Sequence, residues 1–113
     1  MSMKKYIALY MAPISSLEQM KNATPEQMQK GTDMWKTWGD AHKAAIVEMG
    51  TPLGKTKTVS AEKVTDTKNE ICGYSIVQAD SPDAAAKVFE GHPHLTMQGA
   101  TIDVIEYVDM SSK

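Results

Sequence analysis

Two segments of this chain alternate in the manner of β-strands, yet both of their faces are apolar. In Lys5 to Met11, Ile7, Leu9 and Met11 line one side, and Tyr6, Ala8 and Tyr10 line the other. In Glu70 to Ala79, Ile71, Gly73, Ser75, Val77 and Ala79 alternate with Cys72, Tyr74, Ile76 and Gln78, and neither side is strongly polar. Strands of this kind belong in the middle of a sheet that is covered on both sides. Only two segments carry full helix signals, which is cover for one face. The second face must be met by something else, because a monomer rarely exposes an apolar surface of that extent.

The longer helix is expected from Thr24 to Gly50. Thr24-Pro25-Glu26-Gln27 reads as a capping box with Pro at the first helical position, and Gly50 and Pro52 read as its stop. Met28, Met34, Trp35, Trp38, Ala45, Ile46 and Met49 fall on one helical stripe, with Gln29, Asp33, Lys36, Asp40 and Lys43 opposite. Gly31 and Gly39 each cost about 1 kcal/mol relative to Ala inside a helix, and close packing is their simplest explanation. Ser81-Pro82-Asp83 opens a second helix, which runs through Phe89 and ends at Gly91. Pro13 to Ala23 is a connection with a helical turn around Leu17 to Met20. Lys55 to Asp66 is Thr-rich and carries Lys, which suits an exposed edge strand. Thr101 to Val108 is the last strand, and Met110 to Lys113 is a flexible tail.

The order β-α-β-β-α-β predicts an α+β fold, a ferredoxin-like two-layer sandwich in a single domain with its core at about residues 4–108. A two-fold homodimer stacking sheet on sheet is the simplest cover for the second face.

Composition narrows the partners. The chain has 113 residues, with 12 Lys and no Arg against 14 acids, for a net charge of −2. A nucleic-acid binder of this size usually has a basic excess and some Arg, so no nucleic-acid partner is expected. The single Cys72 rules out an internal disulfide and a Cys-cluster zinc site. No apolar run approaches the roughly 20 residues that span a bilayer, so no membrane partner is expected. Lys4-Lys5 before Tyr6 to Ile14 has the outline of a signal peptide. The stretch is short, contains two tyrosines, lacks a small-residue cleavage site, and carries a strand the fold needs. A cytoplasmic location is the expectation.

Several pieces occur together in order: Tyr6-Ile7-Ala8-Leu9-Tyr10, Trp35-Lys36-Thr37-Trp38-Gly39 and Gly50-Thr51-Pro52-Leu53-Gly54. They continue with Gly73-Tyr74-Ser75-Ile76, Gly91-His92-Pro93-His94-Leu95 and Ile102-Asp103-Val104-Ile105-Glu106. Through them the chain resembles the YCII-related (DGPF-type) family, from about Tyr6 to Tyr107. The resemblance implies a dimeric α+β barrel built on a ferredoxin-like protomer. It implies less about activity, since most members have no assigned function. Many are described as enzymes for a His on the first helix and an Asp before a Pro after the second. A few relatives resemble lyases acting on substituted aromatic or quinone-like rings. Here His92 stands where the Asp would, and the helical His position falls near Gly39, with His42 about one turn on. The Asp-Gly-Pro-Phe sequence is missing.

The candidate catalytic residues are His92, His94 and His42, since imidazole titrates near neutrality. The plainer reading of His92 and His94 is a helix-terminating turn, and that of His42 is a hydrogen-bonded core residue. Three neutral imidazoles would suit a zinc ion with an open position. His-x-His with a remote third His is slight evidence for one, and no metal is expected. Trp35, Tyr74, Ser75 and Tyr6 are the candidate ligand-binding residues, while Trp38 reads as core and Cys72 as a buried small residue. There is no Walker loop, no Gly-x-Gly-x-x-Gly and no nucleophile elbow, so no cofactor is expected. The resulting expectation is a small homodimeric protein that binds a small organic ligand near His92-Pro93-His94 and performs cofactor-free proton transfer or a lyase reaction. The alternatives are a non-catalytic binding or regulatory module, or a cofactor-independent monooxygenase-like protein.

Overall fold

The computed structural model describes residues 3–14 and 16–108, so the expected C-terminal tail at Met110 to Lys113 lies outside the described residues. The elements are β1 (Lys4–Met11), α1 (Ser16–Asn22), α2 (Pro25–Ala41), β2 (Ile46–Glu48), β3 (Thr56–Val59), β4 (Val64–Thr67), β5 (Ile71–Ala79), α3 (Pro82–Val88), a 3-10 turn (Pro93–Thr96) and β6 (Thr101–Glu106). Four strands form one antiparallel sheet in the order β2-β5-β1-β6. The protein is thus α+β, in an arrangement compatible with a ferredoxin-like fold. No helix of the described residues is long and apolar enough to cross a membrane.

α2 begins as its sequence dictates. Thr24 Oγ1 accepts from the Gln27 amide at 3.1 Å, and Gln27 Oε1 accepts from the Thr24 amide at 2.9 Å, so each satisfies a donor the helix leaves unpaired. Its end differs from expectation. The helix stops at Ala41, with His42 as its C-cap, and not at Gly50. Ala45, Ile46 and Met49 therefore leave the helical stripe. A short apolar run reads equally well as helix or strand. Tertiary pairing decides it here: Ile46 lies opposite Val77, and the Gln78 amide donates to the Ala45 carbonyl at 2.8 Å. β2 takes the edge of the sheet. The Thr-rich segment expected there folds instead as a separate hairpin, β3 paired with β4, because Ser60 and Lys63 close a turn in its middle.

The core lies between the sheet and the helices. Tyr6, Ala8 and Tyr10 of β1 and Val77 and Ala79 of β5 meet Trp38, Ala85 and Phe89. Trp38 stacks on Phe89 at 5.3 Å and donates its indole N–H to the Val88 carbonyl at 3.0 Å, so α2 and α3 are joined by the residue expected to be core. On the opposite face, Ile76, Ile7 and Ile105 stand side by side across three strands. Ile7 and Ile76 are only half-buried, and Ile105 is 47% exposed, so this apolar row is still open to solvent in the single chain.

Candidate functional site

A cavity of about 560 Å³ lies between α2 and the segment Met49 to Pro52, above the start of β5. Trp35, Met28 and Gly31 of α2 form one wall, Tyr10, Gly73 and Tyr74 the floor, and His94 and Gln19 close the sides. Its size is that of a small organic ligand site. Glycines keep it open in two ways. A Cβ on Gly31 would meet nothing within 4 Å, so the close packing expected for this glycine is absent and its face looks into the cavity. Gly73 lets the Thr51 carbonyl approach to 3.2 Å of its would-be Cβ, which sets the wall against the floor. Gly39 does show the expected close packing, with Met49 Sδ 3.1 Å from its would-be Cβ.

Beneath the cavity runs a fixed hydrogen-bond chain. Ser75 is fully buried and donates its one hydroxyl proton to the Met49 carbonyl at 2.6 Å. Its oxygen, 2.7 Å from the Tyr10 hydroxyl, must therefore accept from Tyr10. Burial pushes the Tyr10 phenol up to about 12, against a smaller opposing effect of the Ser75 hydrogen bond. Tyr10 is a neutral donor committed to Ser75 and not a reacting acid. Ser75→Ala strands both the Tyr10 hydroxyl and the Met49 carbonyl, and is expected to cost about 2 kcal/mol. Tyr10→Phe leaves the Ser75 donor bond intact and should cost about 1 kcal/mol, with the double variant below the sum of the two. Urea denaturation checks the order, and equal losses for both single variants would refute the chain.

The two histidines of the 3-10 turn have different fates. His94 Nε2 is 2.9 Å from the Met11 carbonyl, which can only accept, so Nε2 carries a proton. In the neutral ring the lone pair then resides on Nδ1, and the ring lines the cavity. His92 turns inward instead. Its Nδ1 accepts from the His94 amide at 2.9 Å, capping the turn, so the neutral ring is protonated on Nε2. That nitrogen is buried and has no hydrogen-bond partner among the described residues. Trp38, Trp35 and Tyr10 surround the ring, with centroids at 4.4, 4.5 and 5.0 Å. Burial first, and then His94 and His42, lower the His92 pKa from 6.5 to about 4.

The expected site residues thus separate. Trp35 and His94 share the cavity, and Ser75 lies under its floor as the partner of Tyr10. Tyr74 borders the cavity, but its pairing with Leu9 puts its ring on the open face of the sheet with Ile7 and Ile76. His92 sits behind Trp35 in an aromatic cage. His42 caps α2 and lies against Trp38, with ring centroids 5.4 Å apart. Tyr6 is fully buried in the core, and its hydroxyl has no partner among the described residues. The register pairs Tyr6 with Val77 and Tyr10 with Gly73, so Tyr6 is four residues along β1 from the cavity floor.

Tyr74 donates to Glu48, whose carboxylate raises the Tyr74 pKa. Cys72 is buried as expected, yet it also reaches the cavity wall. Its thiol donates to the Ile14 carbonyl at 3.4 Å, and burial raises its pKa, so it stays a thiol. Among the described residues no three His, Cys, Asp or Glu side chains are grouped to hold a metal ion. No carboxylate lines the cavity among the described residues, and Lys36 is the charged side chain on its wall. Gln19 carried no sequence signal, and Thr51-Pro52 read only as a stop and a piece of the resemblance, because only long-range folding brings them to the cavity. Gly31, out of place inside a helix, was the visible hint of open space.

Compared with protein-family models and with curated proteins, the chain has no significant match.

Proposed function

We propose that the cavity binds a small, largely apolar organic molecule and that His94 moves a proton on it without a cofactor. The observation that carries this reading is the His94 ring on the cavity wall, anchored through Nε2 by the Met11 carbonyl. Such anchoring fixes the tautomer and presents Nδ1 as the basic nitrogen, the arrangement a general base needs. Trp35 and Tyr10, with ring centroids 4.8 Å apart, supply an aromatic surface for a planar ligand. The step that balances with these groups is abstraction of a proton onto Nδ1 and its return from the resulting imidazolium, to another carbon of the ligand or to a departing group.

This is a reading of the chain as a cytoplasmic, YCII-like protein. Its support is the ordered residue set from Tyr6 to Tyr107 and a sheet order compatible with a ferredoxin-like protomer. The stable unit is read as a homodimer joined through the open sheet face, a dimeric α+β barrel. The Ile76–Ile7–Ile105 row and Val47, 45% exposed, are the surface such a dimer would remove from water.

A non-catalytic binding module is the second reading, and one observation favours it. No carboxylate stands on the wall beside His94 among the described residues, so the base lacks an acid partner there. Two measurements separate the readings. Quenching of tryptophan emission by a panel of phenols and small carbonyl acids reports binding, and deuterium uptake into the bound compound from D2O reports proton transfer. Gly31→Leu, which fills the cavity from α2, should weaken binding roughly tenfold or more with the fold intact. His94→Gln should keep binding and slow deuterium uptake roughly a hundredfold or more. Binding with no uptake in the wild type would support the module, and binding indifferent to Gly31→Leu would overturn both readings.

A further inference from the structure

We propose that the β3–β4 hairpin is a docking arm that lies along the β6 edge of a second copy of this chain. The proposal rests on the homodimeric reading above and adds to it the surface that selects the partner. Of the eight strand residues in the hairpin, seven are exposed and Thr56 alone is half-buried. Val59 and Val64, paired across the two strands, are 75% and 58% exposed. A lone two-stranded hairpin is at best marginally stable in water, so an arm of this kind needs a surface to rest on. The body of its own chain does not provide one.

Charge says what the arm fits. Residues 55–69 carry four Lys against Glu62 and Asp66, a net +2, while the rest of the chain is −4. Residues 80–106 hold five acids against Lys87 alone; Glu106 among them pairs with Lys4 of β1 at 3.4 Å, so Asp103 is the acid β6 offers the arm. A basic arm and an acidic edge on the same chain are complementary between two copies.

The register makes that contact geometrically available. β2 and β6 are the two edges of the sheet. Met11 pairs with both Ile71 and Thr101, so the start of β5 and the start of β6 share one end of the sheet. The arm springs from that end, directly before Ile71. A two-fold axis that runs along the strands, between two open faces, lays the β2 edge of one copy over the β6 edge of the other. It keeps like ends together. The arm then comes beside Asp103 of the partner subunit, two residues into β6, where an unpaired strand edge also offers backbone hydrogen bonds.

The test uses the full chain in a dilution series followed by light scattering, with hydrogen exchange of the arm amides. The wild type should be a dimer whose arm amides are protected. Lys55→Glu with Lys63→Glu should weaken the dimer roughly tenfold, and so should Asp103→Lys alone. Combining the three changes should restore the wild-type dissociation constant, since the charges are then exchanged and not lost. A wild type that is monomeric throughout overturns the homodimeric reading and the arm together. A dimer that ignores these charge reversals and leaves the arm amides unprotected overturns the arm alone. Weakening that the combined variant does not reverse overturns β6 as the landing site.

Discussion

Gly50→Ala is expected to destabilise the protein by roughly 3–5 kcal/mol and lower its Tm by about 15 °C. Two effects add. The backbone at Gly50 has φ +78°, a left-handed conformation that L side chains rarely adopt. A Cβ placed there would also lie 1.8 Å from the Tyr74 carbonyl oxygen. That oxygen is backbone in a central strand and cannot rotate aside, so the Met49 to Pro52 wall would have to move off β5. The same wall carries the carbonyl that holds Ser75, so the damage reaches the Tyr10–Ser75 chain. Gly91→Ala is the control. Gly91 has φ +73° but nothing within 4 Å of its would-be Cβ, so only the conformational part remains, about 1 kcal/mol. Thermal denaturation of the two variants measures the difference, and equal shifts would mean the Tyr74 contact contributes nothing.

The second large effect is a loss of stability in mild acid that passes through His92. The fold lowers its pKa from 6.5 to about 4, so the folded state favours the neutral ring. Above about pH 6.5 the folded and unfolded states bind the same number of protons at this site, and its contribution is complete. As pH falls from 6.5 toward 4, the unfolded chain takes up the proton first and folding loses up to about 3 kcal/mol. The physical cause is the aromatic cage, which buries the ring and offers Nε2 no hydrogen-bond partner among the described residues. His92→Phe keeps an aromatic ring in the cage and removes the titration. It also removes the acceptor for the His94 amide, a pH-independent cost of about 1 kcal/mol. Between about pH 7 and about pH 4.5 the wild type should therefore lose about 2 kcal/mol more than His92→Phe in urea denaturation. Parallel pH profiles would remove His92 as the acid-sensitive group.

Much of the architecture was legible. The capping box at Thr24, the N-cap at Ser81, and the β1 and β5 spans with their two apolar faces are local patterns written in neighbouring residues. The end of α2 was not, because Ala45, Ile46 and Met49 continue the helical stripe past Ala41. Only the open edge of β5, distant in sequence, turns Ile46 into a strand residue. The site divides in the same way. Residue type marked Trp35 and His94 as candidates, and the fold brings them to one cavity; it marked Tyr74 too, which borders the cavity with its ring on the other face of the sheet. Residue type could not separate His92 from His94. That depends on a ring nitrogen meeting the Met11 carbonyl in one case and an inward turn among Trp35, Trp38 and Tyr10 in the other.

The sequence by itself determined that this chain builds α+β structure around two doubly apolar strands, because alternation and capping act over a few residues and need no distant partner. The tertiary structure alone decided which histidine reaches the cavity, where the helix stops, and that residues 56–67 stand apart as a hairpin. Each of these depends on contacts between residues far apart in the chain, and no local pattern encodes which of several possible partners will be met.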